Sequence, residues 1–144
     1  MPFSPSKRPF GWLAPAVAAV CAALMMAAPS ASAAPTESVL YAFMGNASDG
    51  SFPLAGLIAD GAGNLYGTTA AGGGSTDCPQ GCGTVFELMP AGDGSWTESV
   101  LHSFHNSDGS TPSAGLILDT HNNLYGTAFT GGQYGDGTVF AIKH

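Results

Sequence analysis

The stretch Asn64-Leu65-Tyr66-Gly67-Thr68 returns unchanged as Asn123-Leu124-Tyr125-Gly126-Thr127. Its surroundings return with it. Upstream, Ala55-Gly56-Leu57-Ile58 and Asp60 match Ala114-Gly115-Leu116-Ile117 and Asp119, and Asp49-Gly50-Ser51-Phe52-Pro53 matches Asp108-Gly109-Ser110-Thr111-Pro112. Further out, Glu37-Ser38-Val39-Leu40 and Phe43 match Glu98-Ser99-Val100-Leu101 and Phe104. Downstream, Gly72-Gly73 and Gly83-Thr84-Val85-Phe86 match Gly131-Gly132 and Gly137-Thr138-Val139-Phe140. Of the 47 residues from 98 to 144, 25 are identical to their counterparts, enough to read residues 37–97 and 98–144 as two copies of one unit. The offset falls from 61 to 59 and then to 54, each change lying in a Gly/Ser-rich segment where an insertion displaces no packed element.

Each copy predicts four short strands. Residues 39–43 and 100–104 alternate β-branched or aromatic residues with smaller ones, the period of a half-buried strand. Residues 57–58 and 116–118 are apolar runs, each entering a turn, Asp60-Gly61-Ala62-Gly63-Asn64 or Asp119-Thr120-His121-Asn122-Asn123. Asp accepts backbone N–H groups across such a turn, while Gly and Asn tolerate left-handed dihedrals. The strands that follow cover residues 65–69 and 124–129, then 85–88 and 139–142. No helical period appears after residue 33, so the expected fold is all-β: two four-stranded antiparallel sheets of the kind that form propeller blades. In chain order the outer strand, residues 38–43, precedes its blade, and residues 96–104 are the outer strand of the first blade. The second blade is then left without one. Two blades do not close a ring, which takes about four to eight. The expectation is therefore a homo-oligomer in which residues 38–43 of one chain complete a neighbour's blade, against two rivals, a remnant of a longer repeat protein and a lone two-blade monomer.

The units Gly56-Leu57-Ile58, Asn64-Leu65-Tyr66-Gly67-Thr68-Thr69, Gly72-Gly73 and Gly83-Thr84-Val85-Phe86-Glu87-Leu88 are followed by Trp96-Thr97 and Val100-Leu101-His102-Ser103-Phe104. Together they resemble the GloVer tandem repeat of bacterial exported proteins described as choice-of-anchor tandem repeat GloVer-containing proteins. The resemblance implies a propeller-like fold and implies no catalytic activity and no particular ligand. Two departures stand out: the chain has two repeats where such proteins usually have many, and no anchor or sorting segment follows Val139-Phe140.

Residues 1–33 have the order of a secretory signal: basic Lys7 and Arg8, an apolar run over residues 10–28, and Ala31-Ser32-Ala33 as a cleavage site. The rival reading is a membrane anchor, because spanning hydrocarbon takes about 20 apolar residues. Against it, the run is alanine-rich and is interrupted by Pro15. Cleavage leaves residues 34–144, a periplasmic or extracellular chain of 111 residues with no membrane association. Its single Lys143 against ten acidic residues gives −9, which excludes the clustered cations that nucleic acid requires.

Outside the cytoplasm, Cys78-Pro79-Gln80-Gly81-Cys82 reads as a disulfide closing a small loop that the second copy lacks. A metal site there would need two more ligands, and His102, His105, His121 and His144 have no recognised ligand spacing. Asp49-Gly50, Asp93-Gly94 and Asp108-Gly109 lack the acidic series of a calcium loop, although the charge leaves a calcium site between repeats as a rival. No cofactor is expected. There is no Gly-x-Ser-x-Gly elbow, and nothing in the sequence places a Ser, a His and an Asp together. Asp60 and Asp119 would be the carboxylates of a secreted glycan-active hydrolase, the second functional reading. Their duplication favours a role in folding, because a catalytic centre is assembled from unlike residues. The first reading is a non-enzymatic binding or cell-envelope scaffold module for a carbohydrate or protein ligand. Tyr66, Tyr125, Trp96 and Tyr134, with Phe129, are the aromatics on which a sugar would stack, and packing between blades is their rival use.

Overall fold

The structure, a computed structural model, describes residues 34–143. The expected signal segment, residues 1–33, and His144 lie outside the described residues. Residues 34–36 are exposed without regular structure, and the compact unit that carries the strands begins at Glu37.

Among the described residues nine strands occur in chain order: β1 Gly50–Ser51, β2 Ile58–Ala59, β3 Leu65–Thr69, β4 Ala71–Gly72, β5 Thr84–Pro90, β6 Trp96–Ser103, β7 Ile117–Leu118, β8 Leu124–Ala128 and β9 Thr138–Ile142. They form a four-stranded sheet β2-β3-β5-β6, a three-stranded sheet β7-β8-β9 and a two-stranded ladder β1-β4, all antiparallel. The fold is all-β, and no helix occurs among the described residues.

The sheets repeat each other pair for pair. Ile58 pairs with Tyr66 as Ile117 pairs with Tyr125, and Gly67 pairs with Phe86 as Gly126 pairs with Phe140. Each hairpin turn is tied by one aspartate: the Asp60 carboxylate accepts the Ala62 and Asn64 backbone N–H groups and the Asn64 side-chain amide. The Asp119 carboxylate does the same for His121 and Asn123.

Two features differ from the expected arrangement. Residues 38–43 are not a strand: a strand is stable only when its N–H and C=O groups meet a neighbour's, and no neighbour among the described residues supplies them. The second sheet has three strands among the described residues rather than the four of a full blade, its outer strand missing as the chain order implies. The β1-β4 ladder was not expected; two residues at the flank of a glycine run carry no periodic signal, yet the second copy repeats the contact as a bridge between Ser110 and Thr130.

The core lies where the two sheets meet. Tyr66, Val85 and Cys82 from the first copy pack with Phe104, Leu116, Leu124 and Ala128, all buried. Across this junction Thr68 Oγ1 donates to the Ala114 carbonyl at 3.2 Å and the Thr111 N–H donates to the Cys82 carbonyl at 2.9 Å.

Candidate functional site

What breaks the repeat symmetry is the loop between β4 and β5. Cys78 and Cys82 are joined by a disulfide, as the spacing predicts, with Cα atoms 5.2 Å apart. Cys82 is fully buried, so the bridge ties an exposed loop tip to the core. Beside this loop lies a groove of about 680 Å³ between the copies, bounded by Phe52, Leu54, Asp77, Gln80, Asn106 and Thr130. A second concavity of about 480 Å³ continues past Phe52 and Gln80 toward Asn46 and Ser75.

Phe52 stands at the junction of the two hollows with a left-handed backbone, φ 57°, and an exposed ring. For a bulky L-residue that conformation is strained by roughly 1–2 kcal/mol. Thr111 at the equivalent place has φ 58°, so the strained conformation belongs to the repeat. The Phe52 carbonyl accepts the Ala70 N–H, and the Thr111 carbonyl accepts the Phe129 N–H. The aromatic side chain at this position belongs to the first copy alone. Sequence reading missed Phe52, because Phe beside Pro53 carries no signal of a groove.

The structure also brings together three residues that no motif or spacing associates. Ser75 Oγ lies 3.3 Å from His105 Nδ1, and Asp77 Oδ2 lies 3.7 Å from the same nitrogen. In a hydrolytic triad the base faces the nucleophile through one ring nitrogen and the carboxylate through the other. Here one nitrogen serves both. Ser75 Oγ is buried, accepts the Asp77 N–H and lies 3.6 Å from Cys82 Sγ, so the cluster braces the disulfide loop against the second copy.

The carboxylates weighed for acid/base work are held by turn hydrogen bonds. At Asp119, donation from the Asn123 side chain leads, outweighs partial burial, and holds the carboxyl down at about 2. At Asp60, burial acts to raise the value and is overcome by the backbone and side-chain donors of Asn64, Tyr66 and Ala62, so the carboxyl lies below its ordinary range. Glu98 moves the other way: burial first, then the nearby Asp49 charge, push it up, and its Oε1 is buried without a hydrogen-bond partner among the described residues.

The expected aromatic candidates are dispersed. Tyr66 is buried, with its hydroxyl 2.9 Å from Glu87 Oε1 and 3.1 Å from Asp60 Oδ2, and burial pushes that hydroxyl's pKa up. Tyr125 is half-buried and donates to Asp119 Oδ2 at 3.1 Å, which raises its own pKa. Trp96 is half-buried at the start of β6, whereas Tyr134 and Phe129 are exposed. None of the five lines either hollow beside the disulfide loop. Among the described residues no three His, Cys, Asp or Glu side chains converge as a metal site would require.

Residues 26–144 match the family model described as the Gloeobacter/Verrucomicrobia repeat. No curated protein and no solved structure matches the chain.

Proposed function

The chain belongs to the Gloeobacter/Verrucomicrobia repeat family, and from that premise we propose that it is an exported, non-catalytic binding or scaffold module of the cell envelope, built from propeller-type blades. One observation supports this reading above others: the aspartates shared by both copies are engaged in tying each copy's own hairpin turn, while the groove sits where the copies differ. Asp60 and Asp119 each tie a turn, an assignment that leaves neither as a free acid or base. The groove combines an exposed phenyl ring at Phe52 with the neutral amides of Gln80 and Asn106 and the carboxylate of Asp77. An apolar face for a pyranose ring, with amides and a carboxylate for its hydroxyls, fits a neutral or cationic glycan. The absence of cationic side chains from the lining disfavours an anionic one.

A glycan array probed with the chain tests this reading, followed by titration of any hit against Phe52→Ala and Gln80→Ala. Binding that both substitutions weaken at least tenfold supports the groove; binding unchanged by either refutes it. Chromogenic glycosides assayed alongside separate the enzyme reading, since turnover abolished by Asp60→Asn or Asp119→Asn would overturn the non-catalytic assignment.

A further inference from the structure

We propose that residues 37–43 of one chain pair with β9 of a second copy, completing its three-stranded sheet and building a head-to-tail assembly. The inference rests on reading the two sheets as successive blades, and it is independent of the glycan groove.

The junction inside the chain is the template. There β6 runs along the outer edge of β5 from Thr84 with Ser103 to Pro90 with Trp96. That paired stretch of β6 contains Glu98-Ser99-Val100-Leu101, and the same four residues stand at 37–40. At 37–40 they are exposed, Val39 at 78%. Conversely, β9 repeats β5 but has no partner on its outer edge among the described residues. Val85 in β5 is 0% exposed and its counterpart Val139 in β9 is 83% exposed.

The N-terminal segment is already held in the arrangement that β6 has at its end. Phe104 meets Phe140 with ring centres 5.0 Å apart, and Phe43 meets Phe86 at 4.9 Å. His102 lies edge-on to Phe104 and 3.0 Å from Asp108 Oδ2; Tyr41 lies edge-on to Phe43 and donates to Asp49 Oδ2 at 3.2 Å. The His105 N–H binds Asp108 as the Met44 N–H binds Asp49. Residues 41–44 are thus docked on the first sheet as residues 102–105 are on the second, and what 37–43 lack is the strand edge on their other side.

The exposed apolar faces are the two halves of the internal junction. On the second copy's side lie Val139 and Tyr125, counterparts of buried Val85 and Tyr66. On the first copy's side lie Leu57 at 51% exposure and Leu65, half-buried, where their counterparts Leu116 and Leu124 are buried. A single chain anchored at Phe43 cannot bring these faces together with only two sheets, because closing a ring of blades takes about four to eight; three or four chains would close one. Lys143 is the one basic residue among residues 34–144 that could discourage edge pairing.

The register follows by transfer from the internal junction. Thr138 should face Ala42, Val139 face Tyr41, Phe140 face Val39 and Ala141 face Ser38, with Leu40 in the bulge that Leu101 occupies.

The test uses chains produced from the complete coding sequence, with the mature N-terminus read by intact mass. Light scattering during size exclusion is expected to give a discrete multiple of the chain mass. Val39→Pro removes an N–H in a segment that forms no strand in its own chain, and it is expected to give a folded monomer by circular dichroism. Mixing Ser38→Cys with Ala141→Cys chains is expected to give a disulfide-linked pair, and Ser38→Cys with Gly92→Cys is expected to give none. A folded wild-type monomer, a Val39→Pro protein that assembles like wild type, or equal cross-linking at Gly92 would overturn the pairing. Each of those results leaves the glycan reading to stand or fall on its own titration.

Discussion

Replacing Val85 and Val139 separately by Ala contrasts two residues that the repeat makes equivalent and the fold does not. Val85 is fully buried at the junction of the sheets, and truncation removes two methyl groups from a packed site. At about 0.8 kcal/mol per buried carbon the transfer loss is roughly 1.6 kcal/mol. Incomplete collapse of the cavity brings the total to about 2–3 kcal/mol. With a urea dependence of about 1.5 kcal/mol per molar, the unfolding midpoint should fall by roughly 1–2 M. Val139 is 83% exposed within its own chain, and the same truncation there should change stability by less than about 0.5 kcal/mol in dilute protein. If chains pair through β9, a cost for Val139→Ala emerges as protein concentration rises, while the cost of Val85→Ala does not change. Urea denaturation followed by circular dichroism over a hundredfold range of concentration reads both. Equal, concentration-independent costs for the two substitutions would refute the reasoning, since they would mean that β9 is covered as fully as β5 within one chain.

Gly83 has φ +96°, and a Cβ there would meet the Thr69 carbonyl and Pro112 Cδ, so Gly83→Ala should destabilise by about 2–4 kcal/mol. Gly92→Ala, facing open space, should stay within about 0.5 kcal/mol in the same melt. Opening the five-residue loop with Cys78→Ser and Cys82→Ala should cost about 2 kcal/mol from loop entropy, read as the difference between variant and oxidised wild type in denaturant. Because folding depresses the Asp119 carboxyl to about 2, its stabilising effect is complete above the ordinary value near 4 and is lost as pH falls through about 2. Asp119→Asn should therefore flatten the acid limb of a stability–pH curve between about pH 4 and 2, and an unchanged limb would count against that role.

The strands around the repeated Asn-Leu-Tyr-Gly-Thr motif were legible because an aspartate-tied turn and a period of two agree on one hairpin, which the structure places at β2-β3 and β7-β8. The disulfide was legible from two cysteines four residues apart. Residues 38–43 misled for a physical reason: their sequence is that of a strand, since Glu98-Ser99-Val100-Leu101 is one, but strand identity is conferred by a partner that periodicity does not reveal. The groove was illegible because it is made by loops meeting across the two copies, with Phe52 and Gln80 from one and Asn106 and Thr130 from the other. The contact of Ser75 and Asp77 with His105 escaped for the same reason, spanning 30 residues from Ser75 to the histidine.

Amide hydrogen exchange along β9, compared with β5, tests the central claim most directly: that two equivalent strands differ only in whether an outer partner is present. The account predicts strong protection of β5 amides at every concentration, and protection of the outward-facing β9 amides that appears with assembly and disappears in Val39→Pro. Outward β9 amides that exchange equally fast in wild type and in Val39→Pro, at concentrations well above those of the titration, would contradict it.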